Sequence, residues 1–170
     1  MARPWWPKGS ATMKVAVITN GSRGDVQPYL ALARGLLDRG HAVTVATLHH
    51  HRGLAERQRV PFQALHQEPF FRIVKEMRKG LLRSPVAIVD GIRGEFEAAF
   101  DEWFEATGGA DLLLAHPLIA AAPDIAEARG IPLVVASVTP ALCPTGEFPH
   151  ALVSATSRGT AINRATFHAA

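Results

Sequence analysis

Short, largely apolar runs recur along this chain, most of them followed by residues whose apolar side chains fall at helical spacing. Residues 15–19 read VAVIT, 42–47 AVTVAT, 111–115 DLLLA and 133–137 LVVAS, with VPFQAL at 60–65 a weaker member of the set. A strand with one wet face alternates apolar and polar residues, whereas an unbroken apolar run suits a strand covered on both faces. Between the runs, Leu30, Ala33, Leu36 and Leu37 form a stripe closed by Gly40, HHRGLAERQR reads as a short helix, and 120–129 as a helix ended by Gly130. From 70 to 107 the text is helical, with Val86, Val89, Phe96, Phe100 and Trp103 at three- and four-residue steps and Gly91 and Gly94 as interruptions. Alternation of this kind predicts an α/β fold, a parallel sheet with the 15–19 strand central and helices packed on both faces through right-handed crossovers. Beyond 137 the chain is loop-like, with Pro140, Pro144 and Pro149 in quick succession.

Composition narrows the class. A chain of 170 residues that is 48% hydrophobic and 19% charged can bury a core as one ordinary domain. The net charge of +3 and pI near 9.5 fit an anionic ligand or membrane surface and give no ground for a nucleic-acid partner. Cys143 is the single cysteine, which excludes an internal disulfide and a thiolate metal cluster. No apolar run reaches the length of a membrane span, and MARPWWPKGSAT lacks the apolar core of a signal peptide, so the expected compartment is the cytoplasm. Met13, directly before the first strand, is the better structural start, and residues 1–12 are expected to be a disordered extension.

The turn after the first strand carries the densest signal: Gly21, Ser22, Arg23, Gly24, Asp25, then Pro28. In parallel sheets ligands bind beyond the carboxyl ends of the strands, where this turn must lie. Gly21 and Gly24 permit a sharp reversal, Asp25 can cap the following helix, and Pro28 is acceptable in a first helical turn. Spacing alone leaves Asp25 two roles, helix cap or reactive carboxylate. The glycine spacing does not match a dinucleotide fingerprint, which disfavours a nucleotide-binding oxidoreductase. No Gly-Lys-Ser/Thr ends the turn, as a phosphate-cradling loop requires, and the RGD at 23–25 is short enough to arise by chance.

GSRGDVQPYLALARGLLDRGHAVTVAT resembles the opening of the sterol and lipid glucosyltransferases, which belong with family 28 and related UDP-glycosyltransferases. ADLLLAHPLIAAAPDIAEARGIPLVVASVTPALCPTGEFPH is similar to the later half of the same domain, so the resemblance covers most of 13–150 and is loose only from 49 to 107. It implies a Rossmann-like doubly wound sheet, the N-terminal half of a GT-B glycosyltransferase, in which residues 13–150 bind the acceptor. Residues 151–170, ending NRATFHAA, resemble the start of the helix leading toward a donor domain that the sequence does not contain. That half is expected on further polypeptide, the remainder of a longer chain or a separate partner.

The implied reaction is inverting transfer of a hexose from a UDP-sugar to a lipophilic acceptor: a sterol, lipid or natural product. The UDP-sugar is a co-substrate, and no other cofactor and no metal is implied. The resemblance puts Asp25 in the position of the base that takes the acceptor's proton, with Gly21, Ser22, Arg23, Gly24, His116 and Phe148 as substrate contacts. The alternative from another class is a non-catalytic module that binds a lipophilic ligand.

Several other residues read more plainly. His49, His50 and His51 lack a matching carboxylate or cysteine spacing for metal and suit a solvated helix start. His41 is a turn residue after Gly40, and Cys143 has no activating partner nearby in sequence. His116, at a strand end before Pro117, either lines the acceptor site or is a satisfied structural histidine. FFRIVKEMRKGLLR at 70–83 suits an amphipathic helix packed on the sheet, with a membrane-touching lip as the alternative.

Overall fold

The structure, a computed structural model, describes residues 12–66, 85–140, 143–149, 156–157 and 159–168. It divides into two compact units, 1–136 and 137–170. The first unit is built on strands β1 (Lys14–Ile18), β2 (Ala42–Leu48), β3 (Phe62–Leu65), β4 (Leu112–Ala115) and β5 (Leu133–Val135). Its helices are α1 (Arg23–Asp38), α2 (Arg52–Arg57), α3 (Pro85–Ala106) and α4 (Ala122–Arg129), with a single 3-10 turn over His49–His51. All strand pairs are parallel, in the order β3-β2-β1-β4-β5, so β1 is central as the alternation of patterns implies. The sequence reading 70–83 as an amphipathic helix lies outside the described residues.

The buried runs divide by parity. Val15 and Val17 face a cluster with Val26, Tyr29, Leu30 and Ala33 of α1 and Ala55 of α2. Ala16 and Ile18 face the opposite cluster, with Ala99 and Trp103 of α3 and Ile125 of α4. Successive β-strand side chains point to opposite faces, so an unbroken apolar run is what a sheet covered twice requires. Each fully buried aliphatic side chain of α1, such as Val26 or Leu30, contributes about 1.5–3 kcal/mol to holding that helix on the sheet. Gly130 ends α4 at φ 66°, the left-handed conformation expected from its place after Arg129.

Two local expectations change. Helix α1 starts at Arg23, capped by Ser22, so Pro28 is an interior residue rather than one of the first turn. Its missing N–H leaves the Gly24 carbonyl without an i+4 donor, a defect costing about 3 kcal/mol or more that the buried face of α1 offsets. His51 is buried, whereas His49 and His50 are exposed, because the 3-10 turn rotates the third histidine back onto the sheet edge. The run is thus a solvated start only for its first two members.

The second unit contains α5 (Thr160–Thr166). Asn163 is buried there and donates from Nδ2 to the Gly146 carbonyl and the Ser157 hydroxyl, each at 2.9 Å.

Candidate active site

The carboxyl end of β1 leads through Thr19 and Asn20 into the turn Gly21–Ser22. The Gly21 amide donates to the buried Asn20 Oδ1 at 2.8 Å. Gly21 has φ 117°, and a Cβ built on it would stand 2.6 Å from Asp25 Oδ2. Glycine is therefore required twice, by its dihedral and by the approach of the carboxylate. Asp25 is the third residue of α1, and its Oδ2 accepts two hydrogen bonds of 2.8 Å, from the Ser22 amide and the Ser22 hydroxyl. This is the reaching-back half of a capping box. The sequence expectation that Asp25 itself caps the helix is refined accordingly: Ser22 is the cap, and Asp25 supports it. Among the described residues Oδ1 has no hydrogen-bond partner, and Asp25 is half-buried. One carboxylate oxygen is anchored and the other is free.

His116 follows β4 directly, and its amide donates to the Ile18 carbonyl at 2.9 Å, which sets the β4–α4 loop beside the β1–α1 turn. The ring is 6% exposed, and its Nδ1 accepts from the Leu118 amide at 3.1 Å. A ring nitrogen that accepts an N–H carries no proton, so in the neutral ring the hydrogen sits on Nε2. Burial holds the His116 pKa below the ordinary histidine value, partly opposed by the charge of Asp25.

Tyr29 stands one turn after Asp25 on α1, with its ring centroid 5.5 Å from that of His116. Its hydroxyl donates to the Ala136 carbonyl, tying α1 to the exit of β5. Burial, with Asp25 adding to it, pushes the Tyr29 phenol up to about 12. Both rings are therefore neutral near pH 7. Beneath the turn, the buried His51 places Nε2 3.0 Å from the Gly21 carbonyl oxygen, acting as donor from a protonated Nε2.

Of the residues expected from the sequence, Gly21, Ser22, Arg23, Gly24, Asp25 and His116 share this sheet edge. Arg23 is exposed and pairs its Nε with Gln27 Oε1 at 3.1 Å. Phe148 belongs to the second unit, where its ring meets Phe167 edge-on at 6.2 Å. Among the described residues no group of three or more His, Cys, Asp or Glu side chains could hold a metal ion.

Residues 15–145 match the model of the glycosyltransferase family 28 N-terminal domain. This chain belongs to that family. A sterol 3-beta-glucosyltransferase of Neurospora crassa is 33% identical over 148 residues, covering 86% of this chain and 10% of that protein. One from Arabidopsis thaliana is 32% identical over 151 residues, covering 82% and 24%. The chain thus spans between a tenth and a quarter of these relatives' length. Among solved structures, the glycosyltransferase SnogD from Streptomyces nogalater superposes with a TM-score of 0.57 at 22% identity, over 77% of this chain and 35% of that one. TcCGT1, solved in complex with UDP, superposes at 0.55 with 15% identity, over 77% and 29%. The doubly wound sheet of this family 28 domain is the fold of the N-terminal half of a GT-B glycosyltransferase.

Tyr29 and His51 are the members of this candidate cluster that sequence reasoning missed. Tyr29 carries a signal in the sequence, since residues four apart share a helix face and Asp25 stands four before it. His51 carries none, because nothing in three consecutive histidines says which one turns inward.

Proposed function

We propose that this family 28 domain binds the hydroxyl of a lipophilic acceptor (a sterol, lipid or natural product) for inverting transfer of a hexose from a UDP-sugar, with Asp25 as general base. The observation that supports it is the division of labour within one carboxylate: Ser22 anchors Oδ2 and leaves Oδ1 without a partner among the described residues, at the edge where a parallel sheet binds ligands. An alcohol attacks poorly until its proton is taken in the transition state. In the step, the acceptor O–H proton passes to Asp25 Oδ1 while the acceptor oxygen bonds to the anomeric carbon. The bond from that carbon to the diphosphate breaks, UDP leaves with the electron pair, and configuration inverts. With His116 and Tyr29 neutral, Asp25 is the anionic member of the cluster, so the developing positive charge on the acceptor oxygen meets a single anion.

The turn of Gly21 and Gly24 lets the acceptor and the sugar approach the backbone closely, and His116 bounds the same cleft. A depression of about 360 Å³ lined by Phe96, Phe100 and Ala121, with Glu97 and Asp101 beside them, adjoins the loop that carries His116 and offers apolar surface to a lipophilic acceptor. The nucleotide is held by a donor domain on further polypeptide, and the reaction calls for no cofactor beyond the UDP-sugar. The test has two stages. Purified chain titrated with a fluorescent sterol is expected to bind it saturably. Supplied with a compatible donor domain, it is expected to form the glucoside from UDP-glucose, with the product anomer inverted relative to the donor. Retained configuration, or saturable binding of UDP-glucose but no sterol, overturns the reading.

A further inference from the structure

Gly21 lies between two buried side chains that each take one of its backbone groups. Its amide donates to Asn20 Oδ1 at 2.8 Å, and its carbonyl oxygen stands 3.0 Å from His51 Nε2. Neither bond touches Asp25. The Gly21 carbonyl, however, shares one planar peptide group with the Ser22 amide, and that amide donates to Asp25 Oδ2 at 2.8 Å. In a trans peptide group the C=O and the N–H point in opposite directions. His51, from the 3-10 turn after β2, and Asp25, from α1, therefore grip the two ends of one rigid plane. That plane is the soft point of the turn. Rotating it changes only ψ of Gly21 and φ of Ser22, and glycine tolerates both signs of its backbone angles. The φ of 117° and the nearness of Asp25 Oδ2 demand glycine at this position, so the freedom it brings has to be removed by other means. A rotated plane would turn the Ser22 N–H away from Oδ2 and set the Gly21 carbonyl oxygen toward the carboxylate. The bond from His51 opposes that rotation. By polarising the peptide group it also strengthens the donor at the other end. The His51 ring is itself packed, with the His50 ring centroid 4.1 Å away.

We propose that His51 is a positioning residue for glycosyl transfer, acting on Asp25 through the Gly21–Ser22 peptide group. This rests on the reading of Asp25 as the general base. As Asp25 takes the acceptor's proton on Oδ1 its charge is lost, and a neutral carboxyl accepts hydrogen bonds less strongly than a carboxylate. The bond from the Ser22 amide then weakens just when the acceptor oxygen must stay in line with the anomeric carbon. The bond from His51 to the Gly21 carbonyl is untouched by that change and keeps the turn in place. Its contribution is therefore greatest in the transition state, and its loss falls on kcat rather than on KM.

The test begins with the isotopically labelled parent chain, whose proton–nitrogen correlation spectra should find the His51 proton on Nε2 near neutral pH. A proton on Nδ1 alone would leave Nε2 unable to donate and would overturn the proposal. His51→Leu removes the donor, and His51→Gln returns an N–H near the place of Nε2. In His51→Leu the Ser22 amide proton should move upfield and exchange with solvent about threefold faster or more, and His51→Gln should bring both back toward the parent. With a compatible donor domain supplied, His51→Leu should lower kcat by about 3–10-fold and leave KM for the sterol within about twofold, while His51→Gln should recover kcat to within about twofold of the parent. In an Asp25→Asn background the same leucine substitution should cost less than about twofold, because the base through which His51 acts is gone. An equal loss in both backgrounds, or a Ser22 amide that does not respond, would make His51 a support for the fold alone and overturn the proposal. Circular dichroism checks folding, and His51→Asn, whose shorter side chain stops short of the Gly21 carbonyl, replaces the leucine variant if that does not fold. The Ser22 amide is read without turnover, so its silence refutes the coupling, whereas undiminished turnover in Asp25→Asn refutes the reading of Asp25 as the base.

Discussion

Replacing Asp25 by asparagine exchanges one carboxylate oxygen for an NH2 group and leaves the shape of the side chain intact. The Ser22 amide and hydroxyl both donate to Oδ2 at 2.8 Å, so the asparagine carbonyl is drawn to that side, where it keeps both bonds. Its NH2 then occupies the place of Oδ1, which has no partner among the described residues and loses nothing by becoming a donor. Folding stability should stay within about 1 kcal/mol of the parent. The NH2 cannot take a proton, however. In a fusion to a compatible donor domain, turnover should fall by about 10²–10⁴-fold, the usual range for a positioned acid–base group. That corresponds to about 2.7–5.4 kcal/mol of transition-state stabilisation. Asp25→Ala is the companion variant: it removes the two bonds from Ser22 as well, and should lose both turnover and about 1–2 kcal/mol of stability. The assay is glucoside formation followed by chromatography, alongside a guanidinium unfolding curve for each protein. Near-parental turnover in the asparagine variant, with both curves overlaid, would reduce Asp25 to support for the Ser22 cap.

Gly21→Ala should cost about 1–3 kcal/mol for its positive φ, and its Cβ, 2.6 Å from Asp25 Oδ2, should push the carboxylate aside; unfolding curves and turnover should therefore both suffer. His51→Ala should destabilise by about 1–3 kcal/mol by leaving the buried Gly21 carbonyl unpaired, read as a lower denaturation midpoint. Thr47→Val should raise that midpoint, because the Thr47 hydroxyl is buried with no hydrogen-bond partner among the described residues and the swap removes an unpaid desolvation of about 1–2 kcal/mol. The lowered pKa of His116 makes its contribution fully present above the unfolded value of 6.5 and progressively lost as pH falls below it, since the unfolded chain then binds the proton more readily. His116→Gln should flatten the decline in stability between pH 7.5 and more acidic pH in urea titrations, and an unchanged slope would show that the ring is not desolvated.

What local sequence could decide, it decided well. Runs such as the VAVI of residues 15–18 and the LLLA of 112–115 are strands because a sheet covered on both faces favours apolar side chains at successive positions. Gly21, Ser22 and Asp25 could be read as a turn with a carboxylate at a ligand edge because their chemistry operates within a few residues of chain. Even there, spacing could not say which of Ser22 and Asp25 was the cap, and the helix start it implied put Pro28 one turn too early.

Everything that joins distant segments was left to the tertiary structure. Ile18 lies beside Ala115 because the chain returns across the sheet to place β4 next to β1, and only then does His116 come under the charge of Asp25. Tyr29 reaches the Ala136 carbonyl 107 residues away, and His51 the Gly21 carbonyl 30 residues back, through contacts with no local signature. Periodicity reports which side of an element is buried and is silent about which face of the sheet that element covers. The order of the strands and the hand of the crossovers settle that, and they set α1 and α2 on one face and α3 and α4 on the other.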